Sequence, residues 1–364
     1  MRLKIILLPG DGIGPEVTDE GVRVLESVAK TFGHELEATR KNVGGAGLLA
    51  SEDPLPKDTI QACVAGQAVL LGAVGGPAFD KYPGHLRPEA GLLRLRRELG
   101  VFANLRPAMC FSGLEDCSPL RPELVRGMDM MIVRELLGGL YFGEPRLTHG
   151  PAGDRVATDT MRYREDEIER IAQVGFEVAR TRRKKVLSVD KANVLDCSRL
   201  WRDVVNQAAK DFPDVQLSHM YVDSAAMTLV ARPADFDVIL TENMFGDILS
   251  DQAGGIVGSL GLLASASVGG PVALYEPVHG SAPDIAGKGI ANPVGTILSV
   301  AMMLRYSFKL EAEAAAVEAS VANVLLSGRR TRDLVKTGSP VGTSEMGRLV
   351  AEGVQKRDRR PGAS

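Results

Sequence analysis

The chain has 364 residues, 45% of them apolar and 24% charged, with a formal net charge of −3. That length allows about two domains with sizeable cores, and the balance is that of an ordinary globular protein. Near-neutral charge gives no electrostatic reason to expect nucleic acid or an anionic membrane as partner, and no run of about 18 apolar residues is present to span a bilayer.

Cys63, Cys110, Cys117 and Cys197 form no CxxC pair, so packed thiols in a reducing compartment are expected rather than a disulfide frame or a zinc site. A cytoplasmic location follows. The basic runs at 180–185 and 357–360 read as a solvated helix end and a polar tail.

Residues 4–8 read as a buried strand, and Pro9-Gly-Asp-Gly-Ile-Gly-Pro15 is the turn that leaves it. Pro15 suits a first helical position, and Val17, Val24, Val28 and Phe32 recur at helical intervals. The turn is GxGxG, with Pro15 and Glu16 where a dinucleotide fingerprint wants small residues, so a tight structural turn is expected. Residues 68–74 form a continuous apolar run suited to a buried parallel strand, followed by Gly75, Gly76 and Pro77. A helix is entered at Glu89. Residues 102–107 and 129–134 read as extended, and 138–143, rich in glycine and aromatics, as a strand or hairpin arm. Residues 165–182 are a strongly amphipathic helix. Strand-like runs at 185–189, 216–222 and 238–241 are each followed by a helical pattern. The last third holds an extended run ending at Glu276, a Gly/Pro-rich loop to Pro293, and two or three helices. The alternation predicts an α/β protein with a parallel or mixed sheet.

Asp247 and Asp251 stand one helical turn apart in Thr241-Glu-Asn-Met-Phe-Gly-Asp-Ile-Leu-Ser-Asp251. On a helix both reach one hard cation; the alternative is a solvated acidic helix start. Gly254, Gly255 and Gly258 continue their face, whereas Leu249, Ala253, Ile256, Val257 and Leu260 fall opposite, the pattern of a core helix whose other side stands against a ligand. Arg96, Arg106 and Arg134 lie in apolar surroundings, and three planar guanidinium forks suit a polyanionic small substrate, although each alone fits a structural ion pair. Lys191 directly follows a strand-like run, where α/β proteins place functional loops, and is a candidate base. Tyr141 sits in the glycine-bordered arm. Asp223 could add a third carboxylate to Asp247 and Asp251, and three carboxylates without histidine or thiolate favour Mg²⁺ or Mn²⁺ over zinc. His279-Gly-Ser-Ala-Pro-Asp-Ile-Ala-Gly-Lys-Gly-Ile-Ala-Asn292 is rich in small residues that admit a nucleotide, and Asp284 would favour NAD over NADP by repelling a 2′-phosphate.

The motifs Leu8-Pro-Gly-Asp-Gly-Ile-Gly-Pro-Glu16, Arg87-Pro-Glu-Ala-Gly-Leu-Leu93, Phe102-Ala-Asn-Leu-Arg-Pro107, Val133-Arg-Glu135, Tyr141-Phe-Gly-Glu-Pro-Arg146, Ser188-Val-Asp-Lys-Ala-Asn-Val194, Tyr221-Val-Asp223, Asn243-Met-Phe-Gly-Asp-Ile-Leu-Ser-Asp251 and Glu276-Pro-Val-His-Gly-Ser-Ala-Pro-Asp284 run in order across nearly the whole chain. Together they resemble the β-decarboxylating hydroxyacid dehydrogenases, the isocitrate/isopropylmalate dehydrogenase family. The resemblance implies a two-domain fold with a mixed sheet spanning both domains, distinct from the Rossmann fold. An NAD-binding domain would comprise residues 1–101 and 258–364, and a substrate, metal and dimerisation domain residues 102–257.

The resemblance also implies the site. Arg96, Arg106 and Arg134 would hold substrate carboxylates, with Leu92, Leu93, Val194 and Asp223 also facing substrate. Asp223, Asp247 and Asp251 would bind Mg²⁺ or Mn²⁺. Tyr141 and Lys191 would be catalytic, and Lys191 and Asp223 would enter from the partner of a homodimer. NAD would lie along Gly75, Gly76, Glu89, His279, Gly280, Ser281, Ala282, Pro283, Asp284 and Asn292. Relatives acting on isocitrate use a serine in the loop before Arg96. Leu92 and Leu93 offer an apolar wall instead, which suits an isopropyl group and leaves a third carboxylate without a partner. The implied activity is NAD-linked oxidative decarboxylation of (2R,3S)-3-isopropylmalate to 4-methyl-2-oxopentanoate, a step of leucine synthesis. Homoisocitrate, malate or tartrate are the alternative substrates, and a non-catalytic regulatory subunit is the alternative class. Two positions depart from the family pattern: Leu137 where threonine is usual, and Ala264 where proline is usual.

Overall fold

The structure is a computed structural model that describes residues 1–143, 154, 156–336 and 338–357. Glu144, Pro145 and Arg146 of the tyrosine motif, and residues 358–360 of the basic tail, lie outside the described residues.

In chain order the elements are β1 (Arg2–Gly10), α1 (Gly14–Phe32), β2 (Glu35–Arg40), α2 (Gly44–Ser51), α3 (Lys57–Ala65), β3 (Ala68–Ala73), α4 (Pro88–Leu99), β4 (Ala103–Met109), α5 (Pro122–Val125), β5 (Asp129–Glu135) and α6 (Glu165–Arg180). There follow β6 (Lys185–Asp190), α7 (Asp196–Ala208), β7 (Gln216–Tyr221), α8 (Val222–Ala231), β8 (Val238–Thr241), α9 (Asn243–Val257), β9 (Ala264–Val268), β10 (Ala273–Pro277), α10 (Val294–Tyr306), α11 (Glu311–Leu326) and α12 (Thr343–Arg357).

The chain forms two compact units. One comprises Met1–Val101, Cys110–Glu123 and Gly254–Ser364; the other comprises Phe102–Met109 and Leu124–Ala253. The first contains strands in the order β2, β1, β3, β10, β9, parallel except for the antiparallel β9–β10 pair. The second contains β4, β5, β8, β6, β7, parallel except for β4–β5. Neither sequence of strands is the all-parallel 3-2-1-4-5-6 order of a Rossmann sheet. The protein is α/β with mixed sheets, the class its sequence implies.

All six residues of β3 are buried, as its uninterrupted apolar run requires of a strand covered on both faces. Over α10, even Gly295, Thr296 and Ser299 are buried, so that helix is a core element rather than an amphipathic one. Helix α1 opens with proline in its first turn and closes on Gly33 in the left-handed region, whose N–H caps the Ala29 carbonyl. Among the described residues no helix is long and apolar enough to cross a membrane, and all four cysteines are free thiols.

Three expectations need correction. The segment at 138–143 is not a strand: Gly139–Tyr141 is a short 3₁₀ turn. Gly139 has φ +73°, and its N–H donates to the Arg162 carbonyl at 3.0 Å, so the backbone turns back where a strand would continue. The glycine face of α9 also differs. A β-carbon on Gly254 would lie 2.5 Å from Leu263 Cδ1 and 2.7 Å from Leu260 Cδ2, so Gly254 serves close packing, whereas Gly255 faces open space. Lastly, Leu249, Ala253, Ile256 and Val257 are buried as the helical spacing predicts, but α9 ends at Val257 and Leu260 is exposed.

Candidate active site

In the second unit, β5 carries Arg134, β4 carries Arg106, and α9 carries both aspartates. Antiparallel pairing sets Asn104 opposite Arg134 and Arg106 opposite Ile132. Arg134 is only 2% exposed, and an unpaired guanidinium there would be costly. Its Nε and Nη2 donate to Asn243 Oδ1 at 3.0 and 2.7 Å, and Nη1 donates to Asp247 Oδ1. Arg106 converges on the same place. Its Nη1 lies 3.3 Å from Asp247 Oδ1, 2.7 Å from Ser250 Oγ and 3.4 Å from Asp251 Oδ1, while Nε donates to Asn104 Oδ1 at 2.8 Å.

The Tyr141 hydroxyl donates to Asp247 Oδ2 at 3.0 Å. The Arg134 guanidinium carbon stands 5.7 Å from the Tyr141 ring centroid. Burial first, then the Asp247 charge, raises the phenol's pKa, so the hydroxyl keeps its proton. Burial also raises the Asp251 pKa, opposed by Arg106 and reinforced by Asp247. Two neighbouring carboxylates that disfavour each other's charge, with the Asp251 side chain 60% exposed, fit a hard divalent cation. Asn104, Asn243 and Ser250 carry no distinctive spacing, yet they accept from the two arginines; their positions inside the arginine and aspartate motifs are the sequence signal.

Lys191 and Asp223 form a second group in this unit, with Nζ 2.6 Å from Asp223 Oδ1. The Lys191 ammonium beside it holds the Asp223 carboxyl below its ordinary range. Asp190 braces the loop: its carboxylate accepts Ala192 N–H at 2.9 Å and two Arg202 donors at 2.9 Å each. Val194 is 61% exposed. Among the described residues no three histidine, cysteine or acidic side chains gather closely enough to hold a metal ion. Within one chain, therefore, Asp223 does not join Asp247 and Asp251.

In the first unit Arg96 lies on α4, buried, with Nη2 2.8 Å from Glu276 Oε1. Its Nε is buried without a partner among the described residues, a free donor fit for an anion. Leu92 and Leu93 precede it on α4, half-buried. Gly75 adopts φ +105°, and a β-carbon there would come within 2.5 Å of Glu89 Oε1; only glycine fits this approach. Gly76 adopts φ +148°, and a β-carbon there would meet Ser281 Oγ only at an ordinary 4.0 Å.

The GxGxG turn is not an open cradle. Asp11, within it, turns its carboxylate outward and accepts N–H groups of Gly45 at 2.8 Å, Ala46 at 2.9 Å and Gly75 at 2.9 Å. Glu16 accepts Gly287 N–H at 2.5 Å and Gly289 N–H at 3.2 Å, and Ile13 N–H donates to the Ser281 carbonyl at 2.8 Å. His279 Nδ1 contacts the Gly280 carbonyl at 2.9 Å, and Nε2 is buried without a partner among the described residues. Burial lowers the His279 pKa, keeping the ring neutral. Gly280 has open space beside it, and Pro283 and Asp284 are exposed. Ala282 adopts φ +39°, a strained value for a residue other than glycine. Asn292 Nδ2 donates to Asp333 Oδ2 at 2.9 Å and Oδ1 accepts Val294 N–H at 3.0 Å. An open edge, a neutral imidazole with a free nitrogen and an exposed carboxylate fit a nucleotide.

Similarity to known proteins places the chain in a family. The isocitrate/isopropylmalate dehydrogenase profile matches residues 4–350, and the chain belongs to that family of oxidoreductases, whose dehydrogenase chemistry uses a nicotinamide cofactor and a divalent metal. Its relatives include the 3-isopropylmalate dehydrogenase of Oleidesulfovibrio alaskensis, 58% identical over 97% of this chain and 99% of that one. The 3-isopropylmalate dehydrogenase of Aquifex aeolicus is 52% identical over 98% of each. Among solved structures, the isocitrate dehydrogenase of Methylococcus capsulatus superposes with a TM-score of 0.86 at 36% identity, covering 97% of this chain and 99% of that one.

Proposed function

We propose that the protein catalyses NAD-dependent oxidative decarboxylation of (2R,3S)-3-isopropylmalate, releasing CO₂ and 4-methyl-2-oxopentanoate, as a step of leucine biosynthesis. The observation that carries this reading is the convergence of Arg106, Arg134 and Tyr141 on Asp247, with Asp251 one turn further along α9. Near-full-length identity to 3-isopropylmalate dehydrogenases supports the same substrate.

Arg96, Arg106 and Arg134 hold the two substrate carboxylates, while Leu92, Leu93 and Val194 face the isopropyl group. Asp247, Asp251 and a second copy's Asp223 hold Mg²⁺ or Mn²⁺. When bound, the metal would supply a Lewis acid and NAD⁺ would supply the hydride acceptor. Lys191, as the neutral amine, takes the C2 hydroxyl proton and becomes an ammonium, and Asp223 orients its nitrogen. Tyr141, whose raised pKa keeps the proton in place, delivers it to the carbon that has lost CO₂. NAD lies along Gly75, Gly76, Glu89 and His279, Gly280, Ser281, Ala282, Pro283, Asp284 and Asn292. Asp284 accepts the ribose hydroxyls and disfavours a 2′-phosphate.

A homodimer supplies Lys191 and Asp223 across its interface. Two observations support this: the absence of a complete metal triad among the described residues of one chain, and the exposure of Met227 and Val230 on α8 and Ile248 on α9, apolar surface of the kind a partner covers.

The test is NADH production by purified protein against 3-isopropylmalate, isocitrate, homoisocitrate, malate and tartrate, with NAD and NADP, with Mn²⁺ and with chelator. Preference for 3-isopropylmalate with NAD and loss of activity on chelation are expected. Preference for another acid, or activity by a metal-free monomer, would sink the reading.

A further inference from the structure

We infer that Asn243 is a positioning residue whose one amide fixes Arg134 and the turn carrying Tyr141 as a single unit. This rests on the proposed substrate roles of those two side chains. Asn243 is the first residue of α9 and is fully buried. Its Oδ1 receives two N–H groups of the Arg134 guanidinium, at 3.0 and 2.7 Å. Its Nδ2 donates to the carbonyls of Leu136 at 3.2 Å and Gly138 at 3.0 Å. Both ends of the amide are therefore committed, one to the guanidinium and the other to the backbone that leads from β5 to Tyr141.

The turn is gripped from its other side as well. Glu135, wholly buried, accepts the N–H of Leu137 at 2.9 Å and of Gly138 at 2.7 Å. Asn243 takes the carbonyls of this turn and Glu135 takes its N–H groups, so consecutive peptide units are held in fixed orientation. The Tyr163 ring closes the clamp. Its hydroxyl accepts Asn243 N–H at 2.9 Å, and a β-carbon on Gly138 would lie 2.8 Å from its Cε1. Buried networks with every member satisfied define one geometry and tolerate little drift. The clamp uses only the backbone N–H of Leu137, so leucine in place of the family's usual threonine leaves it intact.

Arg134 and Tyr141 both end on Asp247, at different carboxylate oxygens. If one amide sets the approach of both, loss of that amide displaces the carboxylate-binding group and the proton donor together. Asn243→Asp separates the two halves of the function. An aspartate at 243 can still accept from Arg134, but it cannot donate to Leu136 and Gly138, and it adds a negative charge beside the guanidinium.

The experiment compares full-length wild type, Asn243→Asp and Asn243→Ala, each with and without Tyr141→Phe, in steady-state assays with 3-isopropylmalate and NAD. Both position-243 variants are expected to lose about 100-fold in kcat/KM for 3-isopropylmalate, the scale of an ångström-sized misplacement, with the KM for NAD unchanged. Tyr141→Phe is expected to cost far less in the Asn243→Ala background than in wild type, because groups acting as a unit are non-additive. Equal costs of Tyr141→Phe in both backgrounds, or wild-type kcat/KM in Asn243→Asp, would overturn the inference. A merely structural role would lower active enzyme concentration and leave the ratio of the two KM values as in wild type. Should Asn243→Ala fail to fold, the near-isosteric Asn243→Asp decides. Wild-type protein inactive on 3-isopropylmalate refutes the proposed function instead.

Discussion

Gly75, Gly76 and the stretch from His279 to Asn292 present backbone and small side chains, shaped by Asp11 and Glu16, which accept five backbone N–H groups between them. Arg106, Arg134, Asp247 and Tyr141, in the other unit, present charged and polar side chains locked to one another by hydrogen bonds. A large, flat ligand such as the proposed dinucleotide needs shape, which glycine supplies. A small polyanion needs charge at fixed points, which buried arginine supplies. Substitutions should accordingly divide: those at Arg106, Arg134, Asp247 and Tyr141 strike turnover, and those along Gly75, Gly76 and the stretch from His279 to Asn292 strike cofactor affinity.

The largest effect is expected from Asp247→Asn. It removes the anion that meets both guanidinium groups and, on the proposed reading, a carboxylate of the metal site, so kcat/KM should fall on the order of 10⁴-fold, with the fold retained by circular dichroism. Near-normal turnover would break the division at its strongest point. Lys191→Met comes next. It should cost roughly 10³-fold in kcat, as loss of a general base does, while metal-dependent substrate binding stays measurable by calorimetry. Asp284→Ala probes the other unit: its KM for NAD should rise about tenfold, the scale of a charge-assisted hydrogen bond, with the KM for 3-isopropylmalate unchanged. A loss confined to kcat would blur the distinction.

The smallest effect concerns stability alone. Burial, helped by neighbouring Glu135, pushes the Glu242 carboxyl from 4.5 up to about 8, against the opposing pull of the Phe245 N–H. Between those values the folded state keeps a proton that the unfolded chain has released, so stability falls as pH rises from 4.5 to 8. Glu242→Gln removes this contribution. Its Tm should match wild type at the acid end and exceed it increasingly toward pH 8, and an unchanged slope in thermal unfolding would show that the carboxyl is solvated.

What could be read in advance follows the same division. Arg134 was legible because a charge after four apolar residues in a strand needs a partner. Asp247 and Asp251 were legible because helical spacing puts them on one face. Leu8-Pro-Gly-Asp-Gly-Ile-Gly-Pro-Glu16 was legible as a turn, but not the destinations of Asp11 and Glu16, since their partners lie more than thirty and more than two hundred seventy residues away. The turn at Tyr141 was misjudged because glycines beside aromatics suit a strand edge as well as a reversal; only the packing of Tyr163 distinguishes them. Gly254 was misassigned because a glycine kept small for a neighbouring leucine has the same sequence signature as one kept small for a ligand. Strand β2, Glu35–Arg40, is largely exposed and polar, and nothing in its composition marks it as a sheet member.

Asp11 has a wider consequence. From the glycine turn its carboxylate reaches the N–H groups of Gly45 and Ala46 at the start of α2 and of Gly75 after β3. One side chain of the fold thus ties three segments together and fixes the geometry around Gly75. For redesign this is an advantage: the exposed stretch around Asp284 can be exchanged without touching the carboxylate that holds these segments in register.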